Sequence, residues 1–163
     1  MNFEYRRASI CDLERIWDKS IKNNHGDKRY IKWKNEFIKN NHCGLAQTFI
    51  IFCDNEPVGE GSLLFSPECS AVRGRKLLCD GAKTANINAL RIEKSYEGKG
   101  HISRLVRLME KTARDLGYAY ITIGVEAKET RNIAIYLHWG YDEFVLGEIE
   151  DGQLVLYYRK NLI

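Results

Sequence analysis

Between Gly100 and Gly117 the sequence carries one amphipathic helix, and its place in the chain governs the fold. Ile102, Leu105, Val106, Met109, Ala113 and Leu116 recur every three or four residues as an apolar stripe. Gly117 stands where a left-handed cap ends a helix, and Arg104, Arg107, Lys111 and Arg114 occupy the opposite face. Strand patterns flank this helix, residues 84–93 before it and 118–125 after it. A strand-helix-strand crossover of this length makes its two strands parallel. Along the first strand Asn86, Asn88, Leu90 and Ile92 fall on one face by simple alternation.

The remaining elements follow from local signals. After a short strand at residues 2–7, Ser9 is an N-cap and Asp12 a first-turn acid for a helix to about Asn23 that carries Ile10, Leu13, Ile16, Trp17 and Ile21. Tyr30, Trp33, Phe37 and Ile38 mark a second helix. Residues 47–53 and 58–65 form a hairpin about Asp54-Asn55-Glu56-Pro57, residues 76–79 read as a short strand, and Asp80-Gly81 as a tight turn. A short helix at 131–139 stops at Gly140, and residues 141–149 and 154–159 pair about Asp151-Gly152. The order β-α-α-β-β-β-α-β-α-β-β gives an α+β fold with a mixed, mostly antiparallel sheet flanked by helices, expected as a single domain over residues 1–163.

A chain of 163 residues buries roughly 70% of its unfolded surface and needs no staple. Cys11, Cys43, Cys53, Cys69 and Cys79 are odd in number and lack metal-ligand spacing, so they are expected as small buried hydrophobes with no metal site. A net charge of +3 is too mild for a nucleic-acid footprint, and no apolar run spans a bilayer. A cytoplasmic protein with neither nucleic-acid nor membrane partner is expected, as a monomer or homodimer.

Chemistry is expected where the first crossover strand meets the helix. Glu97-Gly98-Lys99-Gly100-His101-Ile102-Ser103 puts backbone amides at a helix N-terminus, where they can point at an anion. A Walker A reading fails because no G-x-x-x-x-G precedes Lys99, and a dinucleotide fingerprint would need glycine at 103. The strand, the Y-x-G-K-G loop and the helix together resemble the acyl-CoA-binding signature of the GNAT N-acetyltransferase superfamily, Arg/Gln-x-x-Gly-x-Gly/Ala. Gly98 and Gly100 stand where members commonly read R-G-K-G and Ser103 where a hydroxyl often meets the pyrophosphate, while Glu97 stands in the Arg/Gln position and Ile102 in the Gly/Ala position. Residues 125–141 are similar to a second family stretch, with Val125, Ile133, Ile135, Tyr136, Gly140 and Tyr141 matching, Glu129 replacing the usual Asn and Asn132 the usual Ala.

This resemblance implies an N-acetyltransferase that takes acetyl-CoA as co-substrate, without a metal, and acetylates a primary amine of a small molecule or peptide. The cofactor would meet Leu90, Arg91 and Ile92 by backbone pairing, residues 97–103 at its phosphates, and Glu129, Asn132 and Tyr136. Expelling a thiolate, whose thiol has a pKa of about 8.5, suits proton donation from a phenol of about 10, so Tyr136 is the expected general acid. The amine must lose a proton, yet Asn86 and Asn88 are no bases, though they could hold a water or the substrate; Glu93, Glu60 and Glu126 are the carboxylates nearest the expected site, each more often a solvated rim residue than a base. Asp142, Glu143, Glu148, Glu150 and Asp151 suggest a cationic acceptor steered by an acidic hairpin, or equally a solvated hairpin. The competing functional class is a non-catalytic acyl-CoA-binding sensor or interaction module.

Overall fold

The computed structural model describes residues 1–163. The elements run β1 (Phe3–Arg7), α1 (Ile10–Asn23), α2 (Arg29–His42), β2 (Ala46–Cys53), β3 (Glu56–Leu64), β4 (Thr84–Ile92), α3 (His101–Asp115), β5 (Tyr120–Glu126), α4 (Thr130–His138), β6 (Glu143–Glu150) and β7 (Gln153–Asn161), with 3-10 turns at Ser70–Val72 and Lys94–Tyr96. This is the predicted α+β order. The strands form one mixed sheet in the order β1-β2-β3-β4-β5-β7-β6. Contacts gather in two compact units, Met1–Ser62 with Ala89–Met109 and Leu63–Asn88 with Glu110–Ile163.

In the first unit, Ser9 caps α1 as its sequence position predicts: its Oγ accepts from the Asp12 amide at 3.1 Å, and Asp12 Oδ2 accepts from the Ser9 amide at 2.9 Å. Leu13, Ile16 and Trp17 are buried, and the Trp17 ring lies 5.3 Å from that of Phe37 on α2. β1 pairs antiparallel with β2 from Phe3↔Cys53 to Arg7↔Phe49. Asp54 and Asn55 both adopt positive φ, 49° and 67°. That two-residue turn matches the twist of the strands, so Glu56 and Pro57 begin β3 instead of extending the turn.

In the second unit, β4 pairs parallel with β5, as the crossover requires, in a register from Thr84↔Tyr120 to Ile87↔Ile123. β5 and β6 each pair antiparallel with β7, and Asp151-Gly152 turns the last hairpin with both φ positive. Residues 76–79 are not the predicted strand. The Leu78 and Cys79 amides both return to the Arg75 carbonyl, at 2.9 and 3.3 Å, and close a turn. Leu78 and Cys79 are buried while Leu77 faces solvent, because the segment plugs into the fold by two side chains without presenting a ladder.

Asp80 pins the end of this turn. Its Oδ1 accepts from the amides of Ala82, Lys83 and Thr84 at 2.8 to 2.9 Å. Burial pushes its carboxyl up, but these amides, which favour the charged form, hold it below the ordinary aspartate range. Its stabilisation is therefore complete above the unfolded value near 4 and is lost as pH falls through the lower folded value. Asp80→Ala is expected to cost about 1–3 kcal/mol at neutral pH, with the gap from wild type closing in acid; thermal melts from neutral to strongly acidic pH check both.

Glu110 of α3 is buried; it accepts from the Tyr141 hydroxyl at 3.0 Å and from Lys160 Nζ at 3.0 and 3.1 Å. Burial, reinforced by Glu110, pushes the Tyr141 phenol well up and keeps it a donor. Among the cysteines, Cys53, Cys69 and Cys79 are buried as expected, whereas Cys11 and Cys43 are exposed, Cys11 near the start of α1 and Cys43 capping the end of α2.

Candidate active site

The strand leading to the glycine loop is bent by a residue that alternation did not foresee. Ala89 has φ of +53°, a left-handed conformation inside a strand. A single such residue interrupts the two-residue period, so the expected common face of Asn86, Asn88, Leu90 and Ile92 is broken. Asn86 is buried and donates from Nδ2 to Thr122 Oγ1 at 2.9 Å, while its Oδ1 has no partner. Beyond the bend, Leu90, Arg91 and Ile92 are half-buried, and the Glu93 amide donates to the Val58 carbonyl at 2.8 Å.

The loop that follows carries two left-handed glycines, Gly98 with φ of +72° and Gly100 with φ of +84°. A Cβ on either would meet nothing within 4 Å, so their backbone lies open to an approaching group. The Arg104 amide donates to the Gly100 carbonyl at 3.1 Å. This is the first bond of α3, so the amides of His101, Ile102 and Ser103 have no acceptor inside the helix. Three outward amides, a helix dipole and an open glycine backbone fit the phosphates that an acyl-CoA would bring.

Side chains of the loop behave less uniformly. Lys99 turns back to the Ser95 carbonyl at 3.1 Å, and Glu97 is exposed. His101 offers a ligand its amide only: its ring is buried, its Nδ1 shares a hydrogen bond with the Tyr5 hydroxyl at 2.6 Å, and Phe3 lies 4.2 Å away. Burial, then the charges of Arg104 and Lys99, lower its pKa and favour the neutral ring. The loop is thereby tied to β1.

The carboxylates named from sequence separate sharply. Glu60 is not a rim residue: on β3 it is 1% exposed, and Arg91 Nε donates to its Oε1 at 2.6 Å. Burial pushes its carboxyl up, with Arg91 opposing, and the balance stands above the ordinary glutamate range. Glu93 is half-exposed and ion-paired with Lys19 of α1. Glu126 pairs with Lys128 at 3.3 Å. A signal for Glu60 was present in the sequence as the run Gly59-Glu60-Gly61. A Cβ on Gly59 would lie 3.0 Å from Ile51 Cδ1 and one on Gly61 2.8 Å from Leu90 Cδ1, so the two glycines mark tight packing on the strand face opposite that acid.

In the second unit, Tyr136 lies on α4, half-buried, with its ring 5.7 Å from that of Trp139. Burial raises its pKa, so the phenol is protonated throughout the neutral range. Glu129 precedes the same helix and its carbonyl accepts from the Ile133 amide at 3.0 Å; Glu129 and Asn132 are both exposed.

The acidic hairpin is largely neutralised. Glu143 pairs with Arg159, Glu148 and Glu150 with Arg75 at 3.1 and 2.9 Å, and Glu150 also with Arg73 at 3.4 Å. Three of the five acids are thus answered by arginines that lie outside the acidic run, which reduces the field expected for steering a cation. No group of three or more His, Cys, Asp or Glu side chains is placed to hold a metal ion, and no helix is long and apolar enough to cross a membrane.

Comparison with known proteins names the class that this fold and site define. Residues 10–141 match the model of the acetyltransferase (GNAT) family, and the chain belongs to that family. Among solved structures it is similar to the PaiA N-acetyltransferase from Thermoplasma acidophilum in complex with coenzyme A, with 18% identity, 99% of each chain covered and a TM-score of 0.65. It is also similar to yncA from Salmonella typhimurium with its cofactor acetyl-CoA, with 14% identity, 100% of this chain and 95% of that one covered and a TM-score of 0.73. A third likeness is to an acetyl transferase from Salmonella typhimurium that modifies the N-terminal serine of the 50S ribosomal subunit protein L7/L12, with 16% identity, 99% and 95% covered and a TM-score of 0.70. At these identities the likeness is one of fold. No curated protein matches the sequence.

Proposed function

We propose that residues 1–163 act as one N-acetyltransferase domain that moves the acetyl group of acetyl-CoA to a primary amine of a small molecule or peptide. The observation that carries this reading is the loop of left-handed Gly98 and Gly100 feeding the free first-turn amides of α3, in a member of the acetyltransferase family. When bound, acetyl-CoA supplies a thioester whose carbonyl carbon accepts the amine and whose sulfur leaves. The amides of residues 98–103 hold its phosphates, and the backbone of Leu90, Arg91 and Ile92 pairs with its extended arm like an added strand, one amide polarising the carbonyl. The family resemblance adds Glu129 and Asn132 at α4 to the residues that meet the cofactor. Tyr136 keeps its proton and gives it to the departing sulfur from Oη. Glu60 and Glu93 are the carboxylates able to take the proton that the amine must lose.

The test is calorimetry with acetyl-CoA and CoA followed by a thiol-release screen over polyamines, amino alcohols, amino acid amides and short peptides. Micromolar binding with thiol release for at least one amine is the expected result. Tight binding without release for any of them would make the chain an acyl-CoA sensor instead.

A further inference from the structure

Two left-handed glycines give the loop before α3 more backbone freedom than other residues would, yet holding phosphates requires its amides to be fixed. One side chain supplies the fixing. From Lys94 to Arg104 only His101 is buried. Its ring enters a box of three aromatic residues of the first unit: Phe3 of β1 at 4.2 Å, Tyr96 of the 3-10 turn at 6.4 Å, and Tyr5 of β1, whose hydroxyl shares a hydrogen bond with Nδ1 at 2.6 Å. Phe3 and Tyr5 stand two residues apart and so on one face of β1. The Arg104 guanidinium also lies 5.9 Å over the Tyr5 ring, so a single residue of β1 meets the first turn of α3 at two positions three residues apart. β1 is a firm support, paired with the largely buried strand β2 at Phe3↔Cys53 and Tyr5↔Ile51.

We propose that Tyr5 is a positioning residue for acetyl-CoA: through the His101 ring it holds the first turn of α3, and with it the amides of residues 98–103, in the arrangement that meets the phosphates. This rests on the acetyl-transfer reading above and adds to it a residue that sets donor affinity from outside the loop. The physical ground is preorganisation. A loop whose amides converge in only a fraction of its conformations binds more weakly by that fraction. Removing the Tyr5 hydroxyl leaves Phe3 and Tyr96 against the His101 ring but takes away the directional contact, so the competent fraction falls while β1 stays paired. Once acetyl-CoA is saturating, the phosphates themselves hold the loop, and the hydroxyl no longer bears on turnover. The effect therefore belongs to affinity for the phosphate-bearing part of the donor and not to the chemical step.

The experiment measures acetyl-CoA and CoA affinity by calorimetry at about pH 8, above the ordinary histidine range, so that the ring is neutral. Wild type is compared with Tyr5→Phe, His101→Asn, His101→Leu and the two double variants that add Tyr5→Phe. Tyr5→Phe should raise Kd about fivefold to tenfold, the worth of one hydrogen bond, with KM for acetyl-CoA rising in step and kcat at saturating acetyl-CoA within about twofold of wild type. An Asn amide can replace Nδ1 towards the hydroxyl, so His101→Asn should bind several-fold tighter than His101→Leu, and that advantage should vanish once Tyr5 is Phe. S-acetylpantetheine, which carries the thioester and arm without phosphates, should serve wild type and Tyr5→Phe equally. Unchanged affinity in Tyr5→Phe, an equal loss with S-acetylpantetheine, or an Asn advantage that survives without the hydroxyl overturns the inference. If wild type binds neither acetyl-CoA nor CoA, the acetyl-transfer reading falls and the inference with it. If wild type binds both but acetylates no amine, only that reading falls, and calorimetry still decides the role of Tyr5.

Discussion

A Tyr136→Phe variant is expected to lose about 10²–10⁴ of kcat while binding acetyl-CoA within about twofold of wild type, the range of a general acid's contribution. The substitution removes one oxygen from a half-buried ring on α4 and leaves the packing against Trp139 in place. The sign of the pH effect follows from burial, which raises the phenol's pKa and keeps the proton on Oη through the neutral range. Wild-type kcat should therefore not fall, on account of this group, until pH passes the ordinary phenol value near 10. Stopped-flow thiol release at saturating amine, with acetyl-CoA affinity by calorimetry, separates the two quantities. Unchanged turnover in the variant removes Tyr136 from the mechanism.

Gly100→Asp is expected to weaken acetyl-CoA binding by more than about 100-fold while the protein remains folded. The fold survives because a Cβ at this position meets no atom within 4 Å. Binding fails for two separable reasons. A side chain at φ of +84° is strained, worth about 1–2 kcal/mol, and the carboxylate places a negative charge beside the amides that would otherwise face phosphate. Gly100→Ala carries the strain alone and should lose only about tenfold or somewhat more. Equal affinities for wild type and Gly100→Asp would show that the phosphates bind elsewhere.

Much of this is legible in the sequence. The crossover helix, its glycine stop and its flanking strands forced a parallel β4–β5 pair, and the pairing is parallel. The Ser9 cap and the Asp151-Gly152 turn were equally readable, because caps and two-residue turns are satisfied within a few neighbouring residues. Residues 76–79 misled for the converse reason. Four apolar-rich residues carry no period of their own, and what decided their shape was two side chains finding places in the fold.

Charges were where local reading was weakest. Glu60, Glu110, Glu143, Glu148 and Glu150 look alike as letters, yet the first two are buried and the others are bound by arginines near and far in the chain. Whether an acid is a base, a strut or a neutralised surface group depends on burial and partners, and these are set by residues far away in sequence. By itself the sequence determined the order of elements, the glycine loop before α3 and the acetyltransferase family, since each is written in short-range spacing. The tertiary structure alone decided that Ala89 takes a left-handed conformation inside β4, that Glu60 is buried against Arg91, and that the acidic hairpin is paired. All three depend on residues distant in the chain being brought into contact.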